Sequence, residues 1–218
     1  MSNDENRLRQ DSAPDAIPDI ALTHGQTIWL MGELGLREGV ATSTFNYYIK
    51  SLRKLGIPFE KGKGQEEGHR RVTYDFEELM ELTVALLLRV YGILPDEVTA
   101  GLRRFRNELR PIYRQAYLDA KRPFPPSARL SSANGDGLDI KGAYLDLNIR
   151  YSSGRIIEFG PPRLMSPLDA VRIYLLSEIP ARCYLPLNLS VVADRIIMKA
   201  QALPPVRRDA SAQKAPTT

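Results

Sequence analysis

Seven side chains in the first half of the chain have the types and spacing that contact nucleic acids. They are Thr42, Ser43, Asn46, Tyr47, Lys50, Arg70 and Arg71. An asparagine can pair with an adenine edge, a lysine contacts guanine or phosphate, and hydroxyl groups donate to phosphate oxygens. The set therefore predicts contact with duplex DNA, provided that the chain folds so that these side chains share one surface.

Helical periodicity places the first five of these residues on one element. Apolar residues recur at helical spacing at Phe45, Tyr48, Leu52 and Leu55. This spacing predicts a helix from Thr42 to Leu55, with Tyr48 facing inward and Tyr47 outward. A shorter amphipathic helix, Thr27–Leu34, precedes a turn at Gly35–Gly39. Two short helices joined by a glycine-containing turn predict a helix-turn-helix.

The two arginines are predicted to lie on a β-hairpin. Ile57–Glu60 and His69–Tyr74 read as short strands around the glycine-rich tip Lys61–Gly68. Because side chains alternate along a strand, one arginine is expected to face DNA while the other packs at the base. The hairpin, Ile57–Tyr74, would be the wing of a winged helix-turn-helix.

Two further helices are predicted after the hairpin. Asp75 and Glu78 have capping-box spacing before a helix that should bury Leu79, Leu82, Leu86 and Val90 and end at Gly92. A long helix, residues 95–122, begins at Pro95, and Pro111 should kink it or end its first half. Its apolar residues form a heptad seam at Val98, Leu102, Phe105, Leu109, Ile112 and Ala116. The seam fits either a homodimer or packing within the chain.

In this order the motifs resemble those of MerR-type transcription regulators. The matching stretches are Met31–Leu34, Gly39–Tyr48, Gly68–Arg71 with Tyr74, Asp75–Leu79 and Tyr91–Val98. The resemblance covers about residues 26–110. It implies a winged helix-turn-helix, DNA binding as a homodimer, and a long helix that sets the distance between two DNA-reading units.

The chain departs from the MerR pattern at several positions. Asn46 stands where the family has arginine, and Ala41 replaces the usual Ser or Thr cap, a role that Thr42 is expected to take over. About one extra helical turn separates Tyr48 from Gly56. Metal-sensing members use cysteines near the dimer helix, where this chain has none. We therefore predict a divergent member without a metal site.

The net charge of +4 is unevenly distributed. Residues 1–20 carry five acidic and two basic side chains, whereas residues 44–74 carry seven basic and three acidic ones. Residues 101–122 carry seven basic and two acidic side chains. Both basic stretches are candidate anion-binding surfaces, although Arg103, Arg104, Arg106 and Arg110 are expected to solubilise the seam or pair across a dimer.

Composition argues against several other classes of protein. Cys183 is the single cysteine and His24 and His69 are the only histidines, which disfavours disulfides, zinc and haem. We find no membrane-spanning segment, no signal peptide, and no nucleophile–base pair or phosphate loop. The expectation is a cytoplasmic protein that is not an enzyme and holds no cofactor.

The carboxyl-terminal segment reads as a separate α+β unit. Tyr144–Tyr151 alternates like a strand and Arg155–Phe159 returns beside it, while Ser166 and Asp169 begin a helix and Ser190 caps a last one. This unit would bind an effector, a second copy or another protein. Asp136, Asp139 and Asp146 are close in sequence, and we interpret them as loop and surface residues rather than as metal ligands.

The predicted fold class is α+β, a mainly helical winged helix-turn-helix with a long connecting helix and a small α+β domain. The predicted divisions are a disordered acidic tail (1–22), the DNA-binding domain (23–94), the long helix (95–122), a linker (123–137), the α+β domain (138–203) and a second tail (204–218). The leading hypothesis is a sequence-specific transcription regulator. The alternatives are a DNA-bending accessory protein of the excisionase or partition type and a protein-interaction adaptor.

Overall fold

The computed structural model shows a mixed α+β protein that is mostly helical. It describes residues 17, 19–59, 72–121, 129–131, 137–139, 142–147, 149–152, 155–176, 182–183 and 187–203. Within these ranges there are seven helices, α1 to α7, and ten short strands, β1 to β10. No helix in the described ranges is long and apolar enough to cross a bilayer.

The last residues of the predicted acidic tail belong to the folded protein. Strand β1 (Leu22–Thr23) leads into α1 (His24–Glu33), which Thr23 and Gln26 begin with a capping box. Leu22 is buried, and Ile17 and Ile20 pack against the core. The predicted tail 1–22 is therefore wrong at its carboxyl-terminal end, because these apolar side chains have a surface to cover.

Helix α2 (Thr42–Lys54) follows a turn and lies where it was predicted. Its buried residues are Phe45, Ile49 and Leu52, and Ile49 was missing from the predicted apolar face. Ala41 occupies the N-cap position without a side-chain hydrogen bond. The expectation that Thr42 would take over as the cap is therefore wrong.

The described part of the predicted first wing strand, residues 57–59, is not a strand. Ile57–Phe59 form a bend, in which Ile57 is buried and Pro58 has no N–H to donate to a ladder. Strand β2 (Thr73–Tyr74) pairs antiparallel with β1 instead. Residues 60–71 lie outside the described residues, and so do the predicted hairpin tip and the wing arginines.

Helix α3 (Phe76–Val90) has the predicted capping box between Asp75 and Glu78, and Gly92 follows its end with a φ of 85°. Leu79, Leu82 and Leu86 are buried as expected. Val90 is 68% exposed, so its predicted burial is wrong. It lies in the last turn, beyond the reach of the core.

The predicted long helix is divided into α4 (Pro95–Arg104) and α5 (Arg106–Lys121). The break lies at Phe105, whereas Pro111 is inside α5. The missing N–H of Pro111 leaves unpaired the carbonyl of Asn107, which is exposed and can bond water instead. The proline therefore does not end the helix.

The heptad seam is used within the chain. Val98, Leu102, Leu109 and Ala116 are at most 1% exposed, and α7 packs along α5. These positions are consequently not free to form a coiled coil with a second copy. A homodimer remains a prediction, and it would need another surface.

Short antiparallel strands dominate residues 129–188. The segment predicted as a linker contains β3 (Arg129–Ser131), which pairs with β4 (Gly137–Asp139). The predicted single strand at 144–151 is two strands, β5 (Tyr144–Asp146) and β6 (Ile149–Ser152), in different sheets.

The remaining elements complete two three-stranded sheets and two helices. The elements are β7 (Arg155–Phe159), β8 (Arg163–Met165), α6 (Pro167–Leu176), β9 (Arg182–Cys183), β10 (Leu187–Asn188) and α7 (Leu189–Gln201). The sheet orders are β10-β5-β8 and β7-β6-β9, so the predicted return of β7 beside β6 is confirmed. The last helix is also confirmed, but Asn188 caps it and not Ser190.

One hydrophobic core joins both halves of the chain. It includes Leu30 of α1 and Phe45 of α2 together with Leu145, Leu189 and Ile196 from the carboxyl-terminal segment. Helix α7 packs against α1, α3 and α5. The two predicted segments therefore share their buried surface.

Candidate nucleic-acid interface

The outward face of α2 is polar and basic. Ser43, Tyr47, Lys50 and Lys54 follow each other at intervals of four, three and four residues, and all four are exposed. Tyr47 is 67% exposed, which confirms that it faces outward. Residues 42–54 contain no acidic side chain. We call these four residues the outward face of α2.

Lys54 was not among the predicted site residues. The sequence carries the signal that places it there, since Lys54 lies four residues after Lys50 and eleven after Ser43. Charge alone does not distinguish a binding lysine from a surface lysine, so it is the helical spacing that places Lys54 on this face.

Thr42 lies at the edge of this face, beside the turn that precedes α2. It is exposed, and its hydroxyl oxygen accepts a 3.5 Å hydrogen bond from the Arg37 guanidinium. Arg37 is thus a basic side chain at the amino-terminal end of α2, and the sequence prediction did not include it.

Asn46 is half-buried on the flank of α2 that also carries Lys50 and Arg53. Among the described residues its Oδ1 is buried and has no hydrogen-bond partner. A bidentate contact with adenine needs both the oxygen and the nitrogen of the amide to reach the base edge. In this rotamer Asn46 does not present both groups, so the predicted contact requires its side chain to turn outward.

An aromatic cluster lies beside that flank. The ring centroid of Tyr74 is 4.9 Å from that of Phe59, and its hydroxyl is 3.2 Å from His24 Nδ1. Burial raises the pKa of Tyr74 to about 12, against the opposing charge of Arg53. Burial, together with the charges of Arg53 and Lys50, lowers the pKa of His24. His24 is therefore neutral at pH 7, and the positive charge on this flank comes from α2.

Arg70 and Arg71 precede β2, and both lie outside the described residues. The structure places the following residues, Val72 to Tyr74, against β1 and the aromatic cluster. The contribution of the two arginines to a surface with α2 stays a prediction.

The opposite flank of α2 contacts α3. The Arg89 guanidinium lies over the ring of Tyr48, which was predicted to face inward and is half-buried against the core. This cation–π contact holds the middle of α2 against the last turn of α3.

The carboxyl-terminal end of α2 is held by two arginines. Arg103 Nη1 donates to the Leu55 carbonyl at 3.4 Å, and Arg106 Nη2 donates to the Gly56 carbonyl. Arg106 also forms a buried ion pair with Glu81 at 2.6 Å. The expectation that Arg106 solubilises the seam or pairs across a dimer is wrong, because its partner is a buried carboxylate of the same chain.

Part of the second basic stretch of the sequence pairs with acidic side chains of α3. Arg106 and Arg114 of α5 pair with Glu81 and Glu77 of α3, and Arg110 lies close enough to oppose the raised pKa of Glu78. Acidic side chains spaced along α3 thus face basic ones spaced along α5. Arg106 and Arg114 are thus paired within the chain, whereas Arg103 and Arg104 of the same stretch are exposed.

Of the three carboxylates interpreted as loop and surface residues, Asp139 lies in β4 and Asp146 in β5, so the interpretation as loop residues is wrong for these two. Asp146 is buried and pairs with Arg163 at 2.7 Å, while Asp136 lies outside the described residues. Within the described ranges no group of three or more His, Cys, Asp or Glu side chains is arranged to hold a metal ion.

No protein-family model matches the chain, and no curated protein matches it. The case for a function therefore rests on the geometry of α2 and its surroundings.

Proposed function

We propose that the chain is a sequence-specific duplex-DNA-binding transcription regulator with a MerR-like helix-turn-helix. The observation that carries this proposal is the outward face of α2, which is exposed, basic and free of acidic residues. The order of motifs in the sequence, from Met31 to Val98, supports the same function.

In the proposed complex α2 lies in the major groove. The groove is about 12 Å wide and accepts one helix of about 10–12 Å diameter. Lys50 and Lys54 would contact phosphates or guanine, while Ser43 and Tyr47 would donate hydrogen bonds to phosphate oxygens. Arg70 and Arg71 would add backbone or minor-groove contacts beside it.

The regulator is proposed to be cytoplasmic and to act as a homodimer, since two copies read two half-sites. The elements after α5 would bind an effector or a protein partner. They pack directly on the DNA-binding region through α7, which gives such a partner a route to α2.

Selection of duplexes from a random pool, followed by affinity measurements across a range of salt concentrations, tests this proposal. The variants are Lys50→Ala, Lys54→Ala and the pair combined. Each loss of a phosphate contact should reduce the slope of log K against log salt by about 1. Arg195→Ala is the matched control, because Arg195 is an exposed cation on a different helix, α7.

Three results would contradict the proposal. Equal loss of affinity in Arg195→Ala and Lys50→Ala would show that net charge alone drives binding. Tight binding without sequence preference but with strong bending would favour a DNA-organising accessory protein. Absence of duplex affinity even at low salt would leave the adaptor hypothesis.

A further inference from the structure

Two successive carbonyl groups at the end of α2 are held by guanidinium groups from two different helices. Arg103 is the ninth residue of α4, and Arg106 is the first residue of α5. The helix break at Phe105 lies between them. Arg103 and Arg106, one on each side of this break, reach Leu55 and Gly56 together.

Arg106 has little freedom to move. Its Nε lies 3.0 Å from both carboxylate oxygens of Glu81, and its Nη2 lies 2.6 Å from Oε1 of the same carboxylate. Both side chains are buried. Separation would leave a buried charge unpaired, which is strongly destabilising. The guanidinium is consequently fixed where it meets the Gly56 carbonyl.

The opposite end of α2 has no comparable polar contact from its cap. Ala41 provides no side-chain hydrogen bond there. The last carbonyls of a helix carry partial negative charge and are stabilised by cations. The two arginine contacts at the carboxyl-terminal end of α2 directly follow Lys54 and lie about one and a half turns after Lys50.

We infer that Arg106, oriented by Glu81, is a positioning residue for the outward face of α2. The inference rests on the proposed function. Hydrogen bonds to base edges tolerate only a few tenths of an ångström, so a small tilt of α2 weakens several contacts at once. Arg106 is buried and would affect DNA affinity without touching DNA.

The test replaces both members of the buried pair, as Glu81→Met with Arg106→Met. Buried ion pairs are often replaced by apolar residues of similar volume without loss of stability. The matched control is Glu77→Met with Arg114→Met, which removes the neighbouring α3–α5 ion pair. Each double substitution removes one positive and one negative charge, so the net charge of the protein is unchanged.

Two quantities are measured on each folded protein. The first is the exchange rate of the Ile57 amide, whose N–H donates to the Leu52 carbonyl at 2.9 Å and reports opening of the α2 end. The second is the Kd for the selected duplex, with its salt dependence. We expect about tenfold faster Ile57 exchange and about tenfold weaker binding in the Glu81/Arg106 variant, with an unchanged salt slope. The control should stay within about twofold of the unchanged protein in both.

The inference is overturned if either quantity is unaffected in the folded Glu81/Arg106 variant, or if the control changes equally. A salt slope reduced by about 1 would also overturn it, since Arg106 would then contact a phosphate itself. If the double variant does not fold, Arg106→Lys takes its place, because its single ammonium keeps the charge but cannot fork between Glu81 and Gly56. If the unchanged protein binds no duplex, the proposed function fails, and Ile57 exchange alone decides whether Arg106 fixes the end of α2.

Discussion

At the scale of single residues, Glu78 is a partly buried carboxylate with a strongly raised pKa. Its Oε2 accepts the Asp75 N–H at 2.9 Å, while Asp75 Oδ1 accepts the Glu78 N–H at 2.8 Å. Burial raises the pKa of Glu78 to about 7, and the charges of Asp75 and Glu81 add to the increase. The hydrogen bond from Asp75 and the charge of Arg110 oppose it.

Glu78→Gln should therefore change how stability depends on pH. In the unfolded chain the carboxyl group has the ordinary pKa of 4.5, so folding favours the protonated form. This contribution is complete below pH 4.5 and is lost as the pH rises to about 7. Glutamine keeps the capping box without a titrating group. Urea unfolding across this range should show a flatter profile for the variant, which becomes the more stable protein near pH 8.

Glu108→Gln is the control for this measurement, because Glu108 is exposed on α5. The lowered pKa of His24 makes the free energy of unfolding rise with pH, opposite to the effect of Glu78, and it does so in both proteins. The quantity to compare is therefore the difference in unfolding free energy between Glu78→Gln and the unchanged protein. Parallel pH profiles for Glu78→Gln and the unchanged protein would contradict the raised pKa of Glu78.

At the scale of secondary-structure elements, a glycine sets the distance between α4 and β7. A Cβ placed on Gly101 would lie 2.5 Å from the Phe159 ring. Phe159 and Gly101 are both buried. The β7 strand can therefore cover α4 only because residue 101 has no side chain.

Gly101→Ala should destabilise the protein by about 1–3 kcal/mol, because overpacking exceeds the gain in helix propensity. Gly25→Ala is the matched control. Gly25 lies in α1 with no atom within 4 Å of an added Cβ, so alanine there should be neutral or stabilising by up to about 1 kcal/mol. Chemical denaturation of both variants checks the prediction. It fails if the two substitutions have the same sign.

The elements that the sequence predicted well are those with local signals. The capping box at Asp75, the glycine after α3 and the spacing of Phe45 and Leu52 each involve residues within one or two turns. These signals place α2 and α3 and identify most of the outward face of α2, because they act before any tertiary contact forms.

The features that were missed depend on distant partners. Arg106 was assigned to a dimer surface because its carboxylate partner, Glu81, is 25 residues away. Strand β2 was paired with Ile57–Glu60, since its actual partner at Leu22 lies beyond α1 and α2. Charge and alternation predict that such a residue needs a partner, but they do not identify it.

At the scale of the whole molecule, the buried Ser190 connects the carboxyl-terminal segment to the helices. Its Oγ donates to the Ala116 carbonyl of α5 and accepts the Ala143 N–H, both at 2.8 Å. On the far side of α7, Lys199 pairs with Glu33 of α1 at 3.0 Å. These contacts pack the helices before residue 122 against the elements after residue 137. The two segments therefore share one core and are not separate domains.

The chain should consequently unfold in one cooperative transition. Trp29, the only tryptophan, reports α1 through its fluorescence, while far-UV circular dichroism reports all helices, including α7. The two midpoints should coincide. Ser190→Ala should lower the free energy of unfolding by about 1–3 kcal/mol, because it leaves buried backbone groups unpaired. The midpoints reported by the two probes should fall together. Separate transitions for the two probes would show instead that the segments fold independently.

The pairing of β1 with β2 has a consequence for how the protein can diversify. Leu22 lies opposite Tyr74, and Phe59 packs on the same tyrosine ring, so the two ends of the 60–71 stretch meet at one fixed place. Doubling the length of a flexible connection between fixed ends costs only about 0.6 kcal/mol. Insertions, deletions and new side chains can therefore accumulate between Phe59 and Val72 while the geometry of α2 and α3 is inherited unchanged.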